Sequence, residues 1–434
     1  MRRIGRTLAA TAAFACLLAG SAHSAPGLLV GVADDSLKWG DQAQAKRALG
    51  YTRDLGLRAV RVTVPWEPGE TRLAVADRPP VDRMILATWG NGLRVVLAVY
   101  GKAGDAPQTY DADTQYCTFA ASLLRRYPGV DDIVVWNEPN TSRFWRPQFD
   151  ADGSSVAPAA YEALLARCYD LLHAVRPGVN VIAASAARGN DNPASGTPSH
   201  SPVTFYSKMG QTYRESGRSA PIFDTVGHNP YPTTSAERPW IRHTTSNTIG
   251  EGDYDRLMSV LQDAFGGTGQ PVPGQGHVAI WYMEQGFQTS IDPAKAGLYT
   301  GTETTQVLPP LLDPDETWSP DGPAPDQATQ LTDALNLAYC QPGVAAFFNF
   351  ELADEPVLGG WQSGLLWADQ TPKPSYQPFK AAVRNVAAGR VDCDKYAQAA
   401  AGAGAEIGFT TDPTSPPPDP KPPKKPGPPV IVVK

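Results

Sequence analysis

Asp132–Asn140 reads DIVVWNEPN, and the order of residue types in it decides the fold. Asp132–Trp136 is a short, nearly continuous apolar run, the pattern of a strand covered on both faces rather than one with a wet side. Asn137, Glu138, Pro139 and Asn140 then place polar and turn-forming residues at its C-terminal end. The same signature recurs outward in both directions. Leu28–Ala33, Ala59–Val64 and Arg94–Val99 precede it, and Val179–Ala184, Thr225–His228, Val278–Met283 and Ala345–Phe350 follow. Helix-period segments lie between them: Gln42–Leu55, Thr114–Tyr127, Ala159–Val175, Tyr254–Phe265 and Gln327–Tyr339. In the third, Leu164, Leu165, Cys168, Leu171, Leu172 and Val175 share one stripe. Eight strands separated by helices or long connections predict an α/β fold, a (β/α)8 TIM barrel. A doubly wound sheet is the competitor, and it is weakened because neither G-x-G-x-x-G nor a P-loop follows the first strand.

The chain has 434 residues, 42% hydrophobic and 19% charged, enough to bury a full core. Arg2, Arg3 and Arg6 precede the apolar run Leu8–Gly20, and small residues follow around Ala22–Ser24. That is the layout of a secretory signal peptide over residues 1–24, cleaved after Ser24, and the run is short for a membrane anchor. Cys16 has no proper lipobox before it, which argues against a lipoprotein. Cleavage removes three arginines and no acid, taking the formal charge from −7 to −10. A surface that acidic argues against nucleic acid or an anionic membrane as main partner and is silent about neutral sugars.

The exported chain keeps Cys117, Cys168, Cys340 and Cys393, an even count that favours two disulfides, with three pairings open. Cys117 and Cys168 fall on the apolar faces of successive predicted helices, so Cys117–Cys168 is preferred, leaving Cys340–Cys393 to tie a C-terminal extension to the last barrel helix. Buried free thiols are the alternative. The catalytic domain is expected over residues 25–390, the extension over 391–410 and a disordered, polyproline-like tail over 411–434. The tail reads as an inert spacer, with a cell-wall contact through its lysines as the alternative. Polar insertions at Gly189–Pro202 and Gly301–Asp326 follow the fifth and seventh strands, on the face where barrel loops shape specificity.

Two carboxylates stand out by position. Glu138 ends the fourth strand candidate, and Glu284 ends the seventh in IWYMEQGF. Barrel sites form at the C-terminal ends of strands, so the two side chains should converge on one mouth. Facing carboxyls are what glycoside hydrolysis needs, one to protonate the leaving oxygen and one to attack or stabilise the oxocarbenium-like centre.

Asn-Glu-Pro at strand four with a Glu at strand seven resembles clan A glycoside hydrolases, the retaining (β/α)8 glycosidases with cellulase-like and β-xylosidase-like families. The resemblance spans the mature chain to about Ala388. It implies Glu138 as acid/base, Glu284 as nucleophile and Asn137 as a partner of the sugar 2-hydroxyl. Arg61, in RAVRVTVPW, matches the arginine beneath the nucleophile, whose charge would keep Glu284 ionised. His228 and Tyr231, in DTVGHNPYP, resemble the His and Tyr beside the nucleophile. Trp361, in WQSGLLWADQTPKPSYQPF, matches the segment after strand eight and suits a sugar-stacking platform. The expected protein is a secreted, monomeric enzyme acting on an extracellular poly- or oligosaccharide, with no cofactor. No H-E-x-x-H or zinc-like cysteine spacing is present, so no catalytic metal is expected.

Structural alternatives stand beside these roles. Glu138 could cap a helix, Glu284 could be a buried ion-pair partner of Arg61, and His228 could be a satisfied core histidine. Asp34 and Asp35 could bind a sugar hydroxyl or cap a helix. Trp66, Trp145 and Trp240 could line the cleft or plug the barrel rim, and Glu351, Asp354 and Glu355 could serve a subsite or simply be solvated. A non-hydrolytic carbohydrate-binding barrel and an extracellular scaffold are the rival functions. Binding without reducing-end release would mark the first, and sensitivity to loss of the tail the second.

Overall fold

The computed structural model describes residues 27–39, 41–303 and 326–402. The expected signal peptide, most of the Gly301–Asp326 insertion and the 411–434 tail lie outside these residues. Eight parallel strands close into one barrel in chain order: β1 (Leu29–Ala33), β2 (Ala59–Pro65), β3 (Arg94–Tyr100), β4 (Asp132–Val135), β5 (Asn180–Ala183), β6 (Thr225–His228), β7 (Ala279–Gln285) and β8 (Val344–Phe350). The helices are α1 (Ser36–Trp39), α2 (Gln42–Asp54), α3 (Arg78–Gly90), α4 (Tyr110–Arg126), α5 (Ala157–Val175), α6 (Pro202–Glu215), α7 (Tyr254–Phe265), α8 (Gln327–Cys340), α9 (Tyr376–Ala387) and α10 (Cys393–Gly402). The (β/α)8 reading therefore holds.

Alternation along the strands builds two cores. One set of side chains, including Val96, Ala98, Val134, Ile182, Trp281, Met283 and Phe348, packs in a cluster of its own inside the barrel. The opposite set, including Val60, Val62, Val95, Leu97 and Val135, joins the helices outside. Gly31 makes room for this filling, because a Cβ there would stand 2.6 Å from the Phe348 ring and 2.8 Å from the Ala59 carbonyl. Short polar devices start the helices. In α2, Asp41 accepts from the Gln44 amide while Gln44 accepts from the Asp41 amide, a reciprocal capping box.

Cys117 of α4 bonds Cys168 of α5, and Cys340 at the end of α8 bonds Cys393 at the start of α10. The second link holds α10 where Tyr396 packs against Trp240. Helix α9 after β8 is not among the segments that periodicity picks out. Between β5 and α6, residues 189–201 form an irregular loop, and Thr141 pairs with Ser199 to lay it against the turn after β4. No helix among the described residues is long and apolar enough to cross a membrane.

Candidate active site

Glu284 lies in β7, and strand parity alone would turn it away from the barrel axis, since Trp281 and Met283 point inward. A register irregularity between Tyr282 and Gln285 resets that parity: three steps on β7 match two on β8. Glu284 is buried, and two donors fix it. Arg61 Nη1 reaches Oε1 at 2.6 Å, and the Tyr231 hydroxyl donates to Oε2 at 3.1 Å. Arg61 comes from β2 on the inward parity of Ala59, and its Nη2 donates to Asn137 Oδ1 at 3.0 Å. Burial opposes the Arg61 charge, but Glu284 and the neighbouring Tyr100 and Asp35 more than offset it, so the guanidinium stays above its ordinary range. Burial first, and then the charges of Glu284 and Glu138, hold the Tyr231 hydroxyl well above the usual phenol range, so it remains a donor.

Glu138 is presented differently. The β4 ladder ends at Val135, earlier than the apolar run suggests, because Trp136 takes φ 65° and Glu138 φ 39°, both left-handed. Such conformations cost a non-glycine residue of order 1–3 kcal/mol and cluster at functional sites. The turn is over-determined: the Trp136 amide donates to Val99 O and to the Tyr116 hydroxyl, and the Thr141 amide donates to Glu138 O. Glu138 is half-buried and, among the described residues, receives one side-chain donor, Asn229 Nδ2, at 2.9 Å from Oε1. Burial, then the charge of Glu284, pushes its pKa up to about 7, with the Asn229 bond pulling the other way.

The structure thus brings Arg61, Asn137, Glu138, Tyr231 and Glu284 into one linked group. His228 is not in direct contact with it. Both its ring nitrogens are used: Nε2 donates to Ile249 O at 2.8 Å, and Nδ1 accepts from Ser185 Oγ at 2.8 Å, which accepts in turn from Tyr206. Burial drives its pKa down to about 4, so it is neutral. Parity explains the placement. Gly227 faces the barrel interior, so His228 turns outward and the next residue, Asn229, turns in. Asn229 is the partner of Glu138 that reasoning from sequence misses, and parity along GHN is the signal that could find it.

Trp361 stands over the group, 5.1 Å from Tyr231 and 5.4 Å from Phe350 between ring centroids. Glu355 fixes its loop by accepting from the Trp361 amide at 3.0 Å. Asp34 is spent on the amides of Ser36, Leu352 and Ala353, which splices the end of β1 to the segment after β8. Asp35 accepts from the Thr63 amide and pairs with Lys38 at 3.1 Å, and buried Asp354 pairs with buried Lys373 at 2.7 Å. Glu351 differs, because its Oε2 is buried without a hydrogen-bond partner among the described residues. Trp66, Trp145 and Trp240 do not line the cleft. All three are buried, Trp66 and Trp145 in an edge-to-face chain running through Tyr116, Trp136 and Tyr161.

Among the described residues no group of three or more His, Cys, Asp or Glu side chains could hold a metal ion. No protein-family model matches the chain, and no curated protein sequence matches it. Solved structures do. A β-glucosidase from Thermotoga maritima superposes with a TM-score of 0.52 at 15% identity, over 84% of this chain and 99% of that one. A monomeric β-xylosidase from Caulobacter crescentus gives 0.48 at 16%, over 82% and 69%. A calcium-binding mutant of Bacteroides uniformis β-glucuronidase 2 gives 0.49 at 14% over 83% of this chain, which spans only 35% of that longer protein. The fold is that of a TIM barrel. The β-glucosidase likeness shows it, in agreement with the closed eight-strand sheet.

Proposed function

We propose that this protein is a secreted retaining glycoside hydrolase, with Glu284 as nucleophile and Glu138 as acid/base. The observation that carries the reading is the unequal environment of two carboxyls at one mouth. Glu284 is gripped by a guanidinium and a phenol, while Glu138 has one amide and a pKa raised to about 7. An acid that holds its proton near neutrality can donate it to the leaving oxygen while Glu284 forms the glycosyl–enzyme ester. Forming that ester removes the Glu284 charge, one of the two causes raising the Glu138 pKa. Glu138, having given up its proton, then stays ionised at neutral pH and can accept one from the attacking water, so its role inverts. Asn137 Oδ1 accepts from Arg61, which leaves Nδ2 for the sugar 2-hydroxyl, and Trp361 offers a ring face to the pyranose.

Export rests on the 1–24 signal layout, and the two disulfides fit an oxidising compartment. The substrate would be an extracellular poly- or oligosaccharide, hydrolysed by the protein as a monomer. The deciding experiment is product release from a panel of polysaccharides and aryl glycosides, comparing the mature chain with Glu284→Ala. Turnover that vanishes in the variant, with the first-formed anomer matching the substrate by NMR, supports the reading. Equal turnover in both proteins, or inversion at the anomeric carbon, defeats it.

A further inference from the structure

The cations around the mouth divide into two kinds. Arg61, Lys38 and Lys373 are each spent on a carboxylate: Glu284, Asp35 and Asp354. Arg143 and Arg188 are not, for neither makes an ion pair with a carboxylate among the described residues. Both stand on the Glu138 side. Arg143 follows the turn in which the Thr141 amide and hydroxyl fold back onto the Glu138 carbonyl, and its guanidinium lies 5.4 Å from the Phe144 ring centroid. The Arg188 carbonyl accepts from Asn140 at 3.3 Å, and its Nη1 donates to Thr233 O at 3.1 Å, just beyond Tyr231. It therefore bridges the loops after β4 and β6, whose residues Glu138 and Asn229 meet below. Both residues keep exposed surface, and the Glu138 charge acts on each, joined by Glu237 at Arg188, whose charge burial opposes, and by Glu355 at Arg143.

The opposite side, built from the ends of β1 and β8, has the reverse charge. Asp34, Asp35, Glu351, Asp354 and Glu355 gather there, with Lys38 and Lys373 already paired and Glu351 Oε2 buried without a hydrogen-bond partner among the described residues. An anionic sugar ring on that side would meet these carboxylates with Lys38 and Lys373 already engaged and the Arg143 charge shared with Glu355. On the Glu138 side, beside the leaving oxygen, it would meet two unspent guanidiniums, whose planar forks match a carboxylate.

Building on the glycosidase reading, we infer that the cleft takes a neutral sugar on the Glu284 side and a uronate as the leaving residue, its carboxylate bound by Arg143 and Arg188. The substrate class is thus an acidic heteropolysaccharide, cut where a neutral residue is joined to an acidic one.

The test uses disaccharides in which β-linked glucose, galactose or xylose is joined to O4 of glucuronate, each paired with its neutral methyl ester. Binding is measured by calorimetry on Glu284→Ala, and turnover on the unaltered chain. The acid of at least one pair should bind on the order of tenfold more tightly than its ester, the worth of one charge-assisted contact. Adding Arg143→Ala and Arg188→Ala should equalise the two, and raised salt should shrink the gap. Equal binding of acid and ester, tighter binding of the ester, no binding of either, or a preference that survives loss of both arginines overturns the inference. An arginine-dependent preference without turnover of any glycoside would sink the hydrolase reading and leave the charge assignment standing. Turnover without a preference would do the reverse.

Discussion

The ends of β4 and β7 each deliver one glutamate to the same mouth, but by opposite means. At β7 an irregular step in a continuing strand turns Glu284 inward, and two donors from other strands clamp it. At β4 the strand stops, two left-handed residues carry the chain over the rim, and Glu138 is left with one amide donor and a pKa near 7. In the proposed mechanism Glu284 must form a bond at one place, and such a group gains from rigid donors because misplacement is costly. Glu138 in that mechanism must give and then take a proton, and such a group gains from an environment that tips either way. The contrast between the two ends is what the following experiments can break or sharpen.

The largest effect is expected at β7. Glu284→Ala should lower turnover of every substrate by more than about 10⁴-fold, beyond what acid–base catalysis alone is worth. Glu138→Ala should cost about 10²- to 10⁴-fold with poor leaving groups. With activated aryl leaving groups the first step should survive, and azide should restore the second, giving a glycosyl azide of retained configuration. Equal losses with good and poor leaving groups would deny Glu138 the acid role.

Arg61→Met should destabilise the fold by about 3–5 kcal/mol in denaturant titration, because it strands a buried carboxylate. A change within error would mean that the grip on Glu284 is slack. Glu284→Gln removes the charge that helps to raise the Glu138 pKa, so Glu138 should titrate below 7 by carbon NMR of labelled glutamate. No movement would uncouple the two groups.

The smallest effect concerns Asn229, whose bond favours the ionised form of Glu138. In the unaltered protein kcat/KM should fall as pH rises through about 7 and Glu138 loses its proton. Asn229→Ala should move that alkaline limb to higher pH, and a shift to lower pH would contradict the geometry.

Much of the fold and of the site is legible in the amino-acid order. Strands covered on both faces must be apolar throughout, so the eight runs can be counted, and Thr225–His228 is delimited to the residue. Cys117 and Cys168 can be paired because both lie on inward stripes of neighbouring helices. Glu138 and Glu284 can be expected at one mouth because parallel barrels send the ends of all strands to one side. His228 is harder, since its outward parity shows only once Gly227 is seen to face the interior.

The sequence by itself determined the barrel, its order and the strand ends that carry the two proposed catalytic carboxylates, because periodicity and strand ends are local properties that tertiary contacts merely use. Tertiary structure alone decided which tryptophans are plugs, that His228 bonds Ser185 and Ile249 rather than standing at Glu284, and that Arg143 and Arg188 make no carboxylate ion pair among the described residues. Those outcomes depend on side chains from distant strands arriving within hydrogen-bond reach: Arg61 and Glu284 lie 223 positions apart, Glu138 and Asn229 91. A difference of one residue in parity, or one irregular step in β7, changes such a meeting completely while leaving the apolar pattern of the chain almost untouched.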